Sequence, residues 1–367
     1  SGIIKYIPSQ VYTDFVSCVK SQSMLTENNS VDKNVAIVYS PLNGTGLKPV
    51  LRTLKESGYT NISVVPEQEQ PNGNFPTCPY PNPEIREAME LGMRLADKNN
   101  AELLLATDPD CDRVGIAVRD ETSVLKLLTG NETGMLLLDY ICSMRTRNGT
   151  MPKNPVMVKT IVTIDMAERI AANYSVKTVN VLTGFKFIGE QIGLLEKSGS
   201  EDSYIFGFEE SYGYLSGTYV RDKDAVDAAF LICEMFAYYK SKHISLSEKL
   251  AELYKKYGYC LNTLHSYEFD GAEGFEKMQN IMQNFRNDIG EIGGKKVLKC
   301  LDYNVGIDGL PKSDVLKFIL KDNCSVVARP SGTEPKLKLY ISVSAESHNS
   351  AGLLEKKIAE DMRSYFS

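Results

Sequence analysis

Short apolar runs alternate with amphipathic stretches from Val11 to Lys240, and this alternation constrains the fold more than any other feature. Val11, Phe15, Val16 and Val19 mark one helical face. Val35 to Tyr39 reads as a strand, followed by Ser40 to Gly46 and a helix that Gly58 stops. Ile62 to Val65 is the next strand. A helix is expected after Asn82-Pro83, with Asn82 as cap and Pro83 in the first turn. Leu103 to Ala106 and Val114 to Val118 complete a first unit with a mostly parallel sheet. A second unit of the same rhythm runs from helix 132–145 through strands 156–162, 176–181 and 204–208, with helices 164–173, 188–197 and 225–240. The pattern then changes. After a helix near 247–257 come strand 265–269, helix 272–287, strand 297–301 and a hairpin of 315–320 with 324–328 joined by Lys-Asp-Asn. Lys336 to Val343 alternates apolar and polar, and a helix ends the chain. The expected fold is therefore α/β: two consecutive mixed or parallel sandwich domains, 1–125 and 126–250, then an α+β domain with an antiparallel sheet at 251–367.

A chain of 367 residues is too long for a single core and suits such a division. A net charge of −6 without basic clusters argues against a nucleic-acid partner, although a local anion site is compatible with it. No apolar run approaches the roughly 18 residues that span a bilayer, so no membrane segment is expected. No two of the eight cysteines lie within four residues of each other, which excludes a zinc knuckle or a CxxC motif and fits thiols in a reducing cytoplasm. With three dispersed histidines, His-based metal or triad chemistry has little to work with.

Four loops, each after a strand, carry the candidate chemistry, where α/β folds place their ligands. In Asp108-Pro-Asp-Cys-Asp-Arg113, carboxylates at i, i+2 and i+4 repel one another unless a cation sits among them. An all-oxygen set at Asp108, Asp110 and Asp112 suits Mg²⁺. Arg113 beside it suits a phosphate, which guanidinium grips bidentately. The alternatives are a solvated acidic turn and a haloacid-dehalogenase loop, but the latter asks for Thr or Val at Asp112. Thr183-Gly184-Phe-Lys186 offers a lysine for a phosphate or hydroxyl, or merely a solvated one. Gly207 to Gly213 offers Glu209, Glu210 and Ser211 to vicinal sugar hydroxyls, and Arg221-Asp-Lys223-Asp224 follows it; a charged turn is the alternative. Arg329-Pro-Ser331-Gly332-Thr333 makes an anion cradle of side chains and exposed amides, with Lys336 and Lys338 adding charge, or else a plain turn.

The order and spacing of these four loops resemble the α-D-phosphohexomutase superfamily, nearest its phosphoglucomutase/phosphomannomutase branch, over essentially the whole chain. The resemblance implies that Asp108, Asp110 and Asp112 hold Mg²⁺ and that Arg113 neighbours the reacting phosphate. It implies acid/base work for Lys186 and sugar-hydroxyl contacts for Glu209 and Ser211, with Thr183, Gly184, Arg221 and Lys223 also on the substrate. Arg329, Ser331, Gly332, Thr333 and Lys338 would grip the non-reacting phosphate. The segment Ser40 to Gly46 also matches, with Asn43 where histidine is frequent, and receives no chemistry. The implied reaction interconverts sugar 1-phosphates and 6-phosphates through a phosphoserine and a bisphosphate, with glucose 1,6-bisphosphate as activator of the full-length enzyme. The family's serine stands in a Ser-His-Asn-Pro segment within a preceding domain. No such segment occurs here, so the chain is expected to lack turnover on its own. A non-catalytic phosphosugar-binding protein, a phosphopentomutase and a Mg²⁺-dependent phosphatase are the rival readings.

Overall fold

Runs of isoleucine, valine and leucine become the buried strands of the first sheet. The computed structural model describes residues 5–29, 31–269, 271–307, 309–331 and 336–366. Two units are distinguished: Ser1–Thr163 with Ile170–Ala251, and Ile164–Arg169 with Glu252–Ser367. In the first unit, strands β1 (Ile37–Ser40), β2 (Ile62–Val64), β3 (Leu103–Thr107), β4 (Val114–Arg119) and β5 (Leu125–Leu128) form one sheet in the order β2-β1-β3-β4-β5. β1, β2 and β3 are parallel, and β4 and β5 are antiparallel additions. β1 and β3 are buried at every residue, as strands covered on both faces must be. Helices α1 (Ser9–Lys20), α2 (Leu47–Glu56) and α3 (Arg86–Lys98) belong to this half.

The other half of the unit begins with α4 (Gly130–Asn148), started by a reciprocal cap between Thr129 and Glu132 and ended by Gly149 in the left-handed region. Then follow β6 (Val156–Thr160), α5 (Met166–Asn173, of which Met166–Arg169 belong to the second unit), β7 (Lys177–Val181), α6 (Phe185–Lys197), β8 (Tyr204–Glu209), β9 (Gly213–Leu215), α7 (Ala225–Lys240) and α8 (Leu246–Tyr257), which passes into the second unit at Glu252. The sheet order is β7-β6-β8-β9, with β6 parallel to β7 and β8, and β9 antiparallel. α7 is buried from Ala225 to Tyr239 on every side, which is why its sequence lacks a polar face.

The second unit is a six-stranded antiparallel sheet in the order β10-β15-β14-β13-β12-β11. Its strands are β10 (Tyr259–Glu268), β11 (Glu291–Ile292), β12 (Lys295–Asp302), β13 (Leu316–Leu320), β14 (Cys324–Pro330) and β15 (Lys336–Ala345), with helices α9 (Gly271–Phe285) and α10 (His348–Ser364). Phe285, Phe318, Leu339 and Ile358 lie in its core. The expected hairpin turns at Lys321-Asp322-Asn323, where Asp322 and Asn323 take φ of 61° and 56°, a region asparagine and aspartate tolerate.

The sequence expectation of two α/β domains followed by an antiparallel α+β domain is what the chain adopts. Some boundaries moved. α3 starts at Arg86, not at Pro83, because Asn82 Oδ1 accepts the Glu84 amide at 3.0 Å and its carbonyl accepts the Ile85 amide at 2.9 Å. Asn82 therefore closes a turn before the helix and does not cap it. α6 starts at Phe185, three residues before the expected Ile188: Gly184 breaks the chain at φ 118° and Phe185 is buried at once. Strands β5 and β9 were not expected.

Candidate functional site

β3 and β4 pair as far as Thr107 and Val114, so residues 108–113 are the connection of an antiparallel hairpin. Cys111, at φ 61°, turns the chain there. Asp108 Oδ1 accepts the amides of Asp112 at 3.0 Å and Arg113 at 2.9 Å, which ties the carboxylate to its own loop. One ligand oxygen from each of Asp108, Asp110 and Asp112 lies within 4.8 Å of the others. Burial, reinforced by the charges of Asp112 and Asp110, pushes the Asp108 carboxyl up to about 7 against the opposing pull of those amides. A half-buried set of three carboxylates with only oxygen donors fits a hard divalent cation such as Mg²⁺.

The Arg113 guanidinium stands over this set. Its Nε lies 3.9 Å from Asp108 Oδ2 and 3.8 Å from Asp112 Oδ1, and one terminal nitrogen lies 3.7 Å from Glu84. Nε is buried and has no hydrogen-bond partner among the described residues. A buried donor left free in this way suits an anion as partner.

The loop after β8 is joined to this hairpin by its backbone. Val114 N donates to Tyr212 O at 3.1 Å, Ala225 N donates to Cys111 O at 3.3 Å, and Arg113 bridges to Gly213. Glu209 ends β8 at 5% exposure. Burial raises its carboxyl to about 7 and the neighbouring Glu210 adds to this, while Lys223, Arg113 and a hydrogen bond from Ser211 act in the opposite sense. Lys223 Nζ reaches Asp112 Oδ2 at 2.7 Å. Burial alone would lower the Lys223 pKa, but the hydrogen bond and charge of Asp112, with Asp222 and Glu209, raise it overall.

A further participant escaped the sequence reading. The segment from Ser40 to Gly46 buttresses the acidic loop: Thr45 donates both its amide, at 2.8 Å, and its hydroxyl, at 3.0 Å, to Pro109 O. A Cβ on Gly44 would lie 2.3 Å from Pro109 Cα, so only glycine permits this approach. The two glycines flanking Thr45 are the signal the sequence offers for so close an approach of two loops.

The remaining expected residues are placed differently. Lys186 is exposed in the first turn of α6, with its ammonium over the Phe187 ring at 5.0 Å from the centroid. Thr183 has a buried hydroxyl without a partner among the described residues. Arg221 is exposed and pairs with Glu196 at 2.7 Å, so it is not drawn to the acidic loop. In the second unit, Arg329 faces Lys338 across the β14–β15 pair. Arg329 and Ser331 line a cavity of about 360 Å³ with Phe275, Gln279, Ser313 and Asp314. Ser331 N donates to Lys336 O at 2.7 Å; Gly332 and Thr333 lie outside the described residues.

Comparison with known proteins bears on this arrangement. Residues 12–121 match the phosphoglucomutase/phosphomannomutase alpha/beta/alpha domain II and residues 129–257 match domain III of the same family. The chain belongs to the phosphoglucomutase/phosphomannomutase family. It is 38% identical over 361 residues to a phosphoglucomutase of Staphylococcus saprophyticus, covering 95% of this chain and 63% of that protein. The chain thus spans a little under two thirds of that relative's length. Among solved structures of the superfamily, the open form of parafusin, a phosphoglucomutase from Paramecium, superposes with a TM-score of 0.68 at 18% identity, covering 98% of this chain and 61% of that one. An N-acetylphosphoglucosamine mutase from Aspergillus fumigatus, solved with GlcNAc-6P and magnesium, gives a TM-score of 0.56 at 15% identity, covering 97% of this chain and 66% of that one. No helix among the described residues is long and apolar enough to cross a membrane.

Proposed function

We propose that these residues carry the metal, sugar and phosphate loops of a cytoplasmic phosphohexomutase that interconverts sugar 1-phosphates and 6-phosphates, with domains at 1–125, 126–250 and 251–367. The observation that carries the reading is the buried Arg113 Nε, without a hydrogen-bond partner among the described residues, beside three converging carboxylates and the buried Glu209. Asp108, Asp110 and Asp112 are the groups that would hold Mg²⁺, which when bound supplies positive charge to a transferring phosphoryl group. Arg113 binds and orients that group, and its charge counts for more because the site is half-buried. Glu209 and Ser211 read the sugar hydroxyls; a carboxyl poised near 7 both accepts and donates at neutral pH. Lys186 serves acid/base chemistry at the sugar, Thr183, Gly184 and Arg221 contact it, and Arg329, Ser331, Gly332, Thr333 and Lys338 hold the idle phosphate. Support for a phosphosugar and magnesium comes from the related A. fumigatus mutase, solved with both. Glucose 1,6-bisphosphate is the expected activator of the complete enzyme.

A nucleophilic phosphoserine is not expected among these residues, which hold no Ser-His-Asn-Pro segment. Ser40 precedes a proline and donates to Gln68 Oε1 at 2.7 Å, Ser211 serves Glu209, and Ser331 lies in the phosphate loop. Placing a nucleophile can contribute roughly 7–11 kcal/mol to such a step, so turnover by these residues alone is expected to be undetectable. A coupled assay with glucose 1-phosphate, glucose 1,6-bisphosphate and Mg²⁺ tests this on the 367-residue chain and on the same chain joined to a serine-bearing domain. Activity only in the joined form is expected. Equal rates in both would place the nucleophile within these residues and sink the reading.

A further inference from the structure

Lys223 lies in the segment that leads into α7, yet its ammonium has crossed to the β3–β4 hairpin, 2.7 Å from Asp112 Oδ2. Its own neighbour in sequence, Asp222, is farther away at 3.4 Å. The lysine side chain is only 12% exposed. Its stem runs past Gly213, where an added Cβ would lie 2.6 Å from Lys223 Cδ and 2.9 Å from Glu209 Oε1. A glycine thus leaves room for a lysine to be threaded between two loops toward a carboxylate.

That carboxylate belongs to a set of three that repel one another. Arg113 approaches the set only at 3.8 Å and beyond, without a hydrogen bond from its Nε. Among the described side chains in contact with Asp112, Lys223 is the one at full hydrogen-bonding distance. An ammonium is a compact charge with rotatable donors on a flexible stem, so it can occupy a cation's place and leave it again, which a planar guanidinium does less readily.

We propose that Lys223 is a built-in counter-cation of the acidic loop: it holds Asp112 in the metal-free chain and is released when a divalent cation binds there. The inference rests on the reading of Asp108, Asp110 and Asp112 as the divalent-cation site. A released ammonium in so enclosed a place needs an anionic partner, and a phosphate group beside Arg113 is the class of ligand that would supply one. Lys223 thereby links metal occupancy to phosphate binding. If the Lys223–Asp112 pair is closed nine-tenths of the time, only about a tenth of the chains are ready for a cation, and the apparent affinity falls roughly tenfold.

The test uses the whole chain, with Mn²⁺ as the probe read by electron paramagnetic resonance. Lys223→Met is expected to bind Mn²⁺ about tenfold more tightly than wild type, while Lys223→Arg, which keeps the charge and leaves Asp112 less readily, binds it no more tightly than wild type. In wild type, the ¹⁵N signal of the Lys223 ammonium, assigned by its loss in Lys223→Arg, is expected to shift when Mg²⁺ is added. Equal or weaker Mn²⁺ binding by Lys223→Met, or a Lys223 signal unmoved by saturating Mg²⁺, overturns the proposal. Should Lys223→Met fail to fold, the ammonium signal decides alone. If neither wild type nor Asp110→Asn binds Mn²⁺, or both bind it equally, the metal site itself falls and the inference with it.

Discussion

Replacing Gly44 with alanine should disable the acidic loop although residue 44 has no chemistry of its own. The added methyl would lie 2.3 Å from Pro109 Cα and 2.5 Å from Pro109 O, where ordinary contact begins at 3.4 Å. Both are backbone atoms, so no side chain can swing aside, and Pro109 must retreat by roughly 1 Å in so densely packed a place. Asp108 and Asp110 flank Pro109 and would move with it. Metal sites tolerate displacements of only about 0.2 Å in ligand distance. Crowding of this kind costs about 1–3 kcal/mol, and weakening the Thr45 hydrogen bonds to Pro109 O costs about 1 kcal/mol more. Mn²⁺ binding should weaken tenfold or more, which is the lower end for loss of support around a metal ligand. Gly73→Ala is the control, because nothing lies within 4 Å of its added methyl. Thermal unfolding and Mn²⁺ titration of both variants decide the matter. If Gly44→Ala binds Mn²⁺ within twofold of wild type and melts with the control, the 40–46 segment does not support the loop.

Two further outcomes follow from the charges. Glu209 is held near 7 in the folded chain against 4.5 for a free glutamate, so the folded state keeps a proton that the unfolded state has lost. Stability should therefore fall as pH rises between these values, by up to about 1.4 kcal/mol per pH unit. Glu209→Gln removes that slope, and identical pH dependence of melting in the two proteins from pH 5.5 to 7.5 would contradict the burial argument. Sulfate or phosphate should shift the NMR signals of Arg329 and Ser331, and Arg329→Ala should abolish the effect; equal shifts in both would exclude this loop as an anion site.

What the sequence made legible was whatever repeats or stays local. Apolar runs announced the strands, and the loops worth attention followed directly because they begin where those runs stop. Helix starts were read less well, since Asn82 and Pro83 can equally cap a helix or close a turn, and the choice depends on whether the next amides are needed elsewhere. The unexpected β9 has only three residues, and it is stabilised by pairing with β8 and by the contact with Arg113, neither of which leaves a local pattern. The site's working contacts are of the same long-range kind. Thr45 meets Pro109, Glu84 meets Arg113, and Lys223 meets Asp112. In each pair both residues are visible in the sequence, but their approach depends on how two strand ends are brought side by side. A motif therefore tells which atoms are offered to a ligand. Whether those atoms are free, as Arg113 Nε is, or already claimed, as Asp112 Oδ2 is by Lys223, is settled only by the packing of loops far apart in the chain.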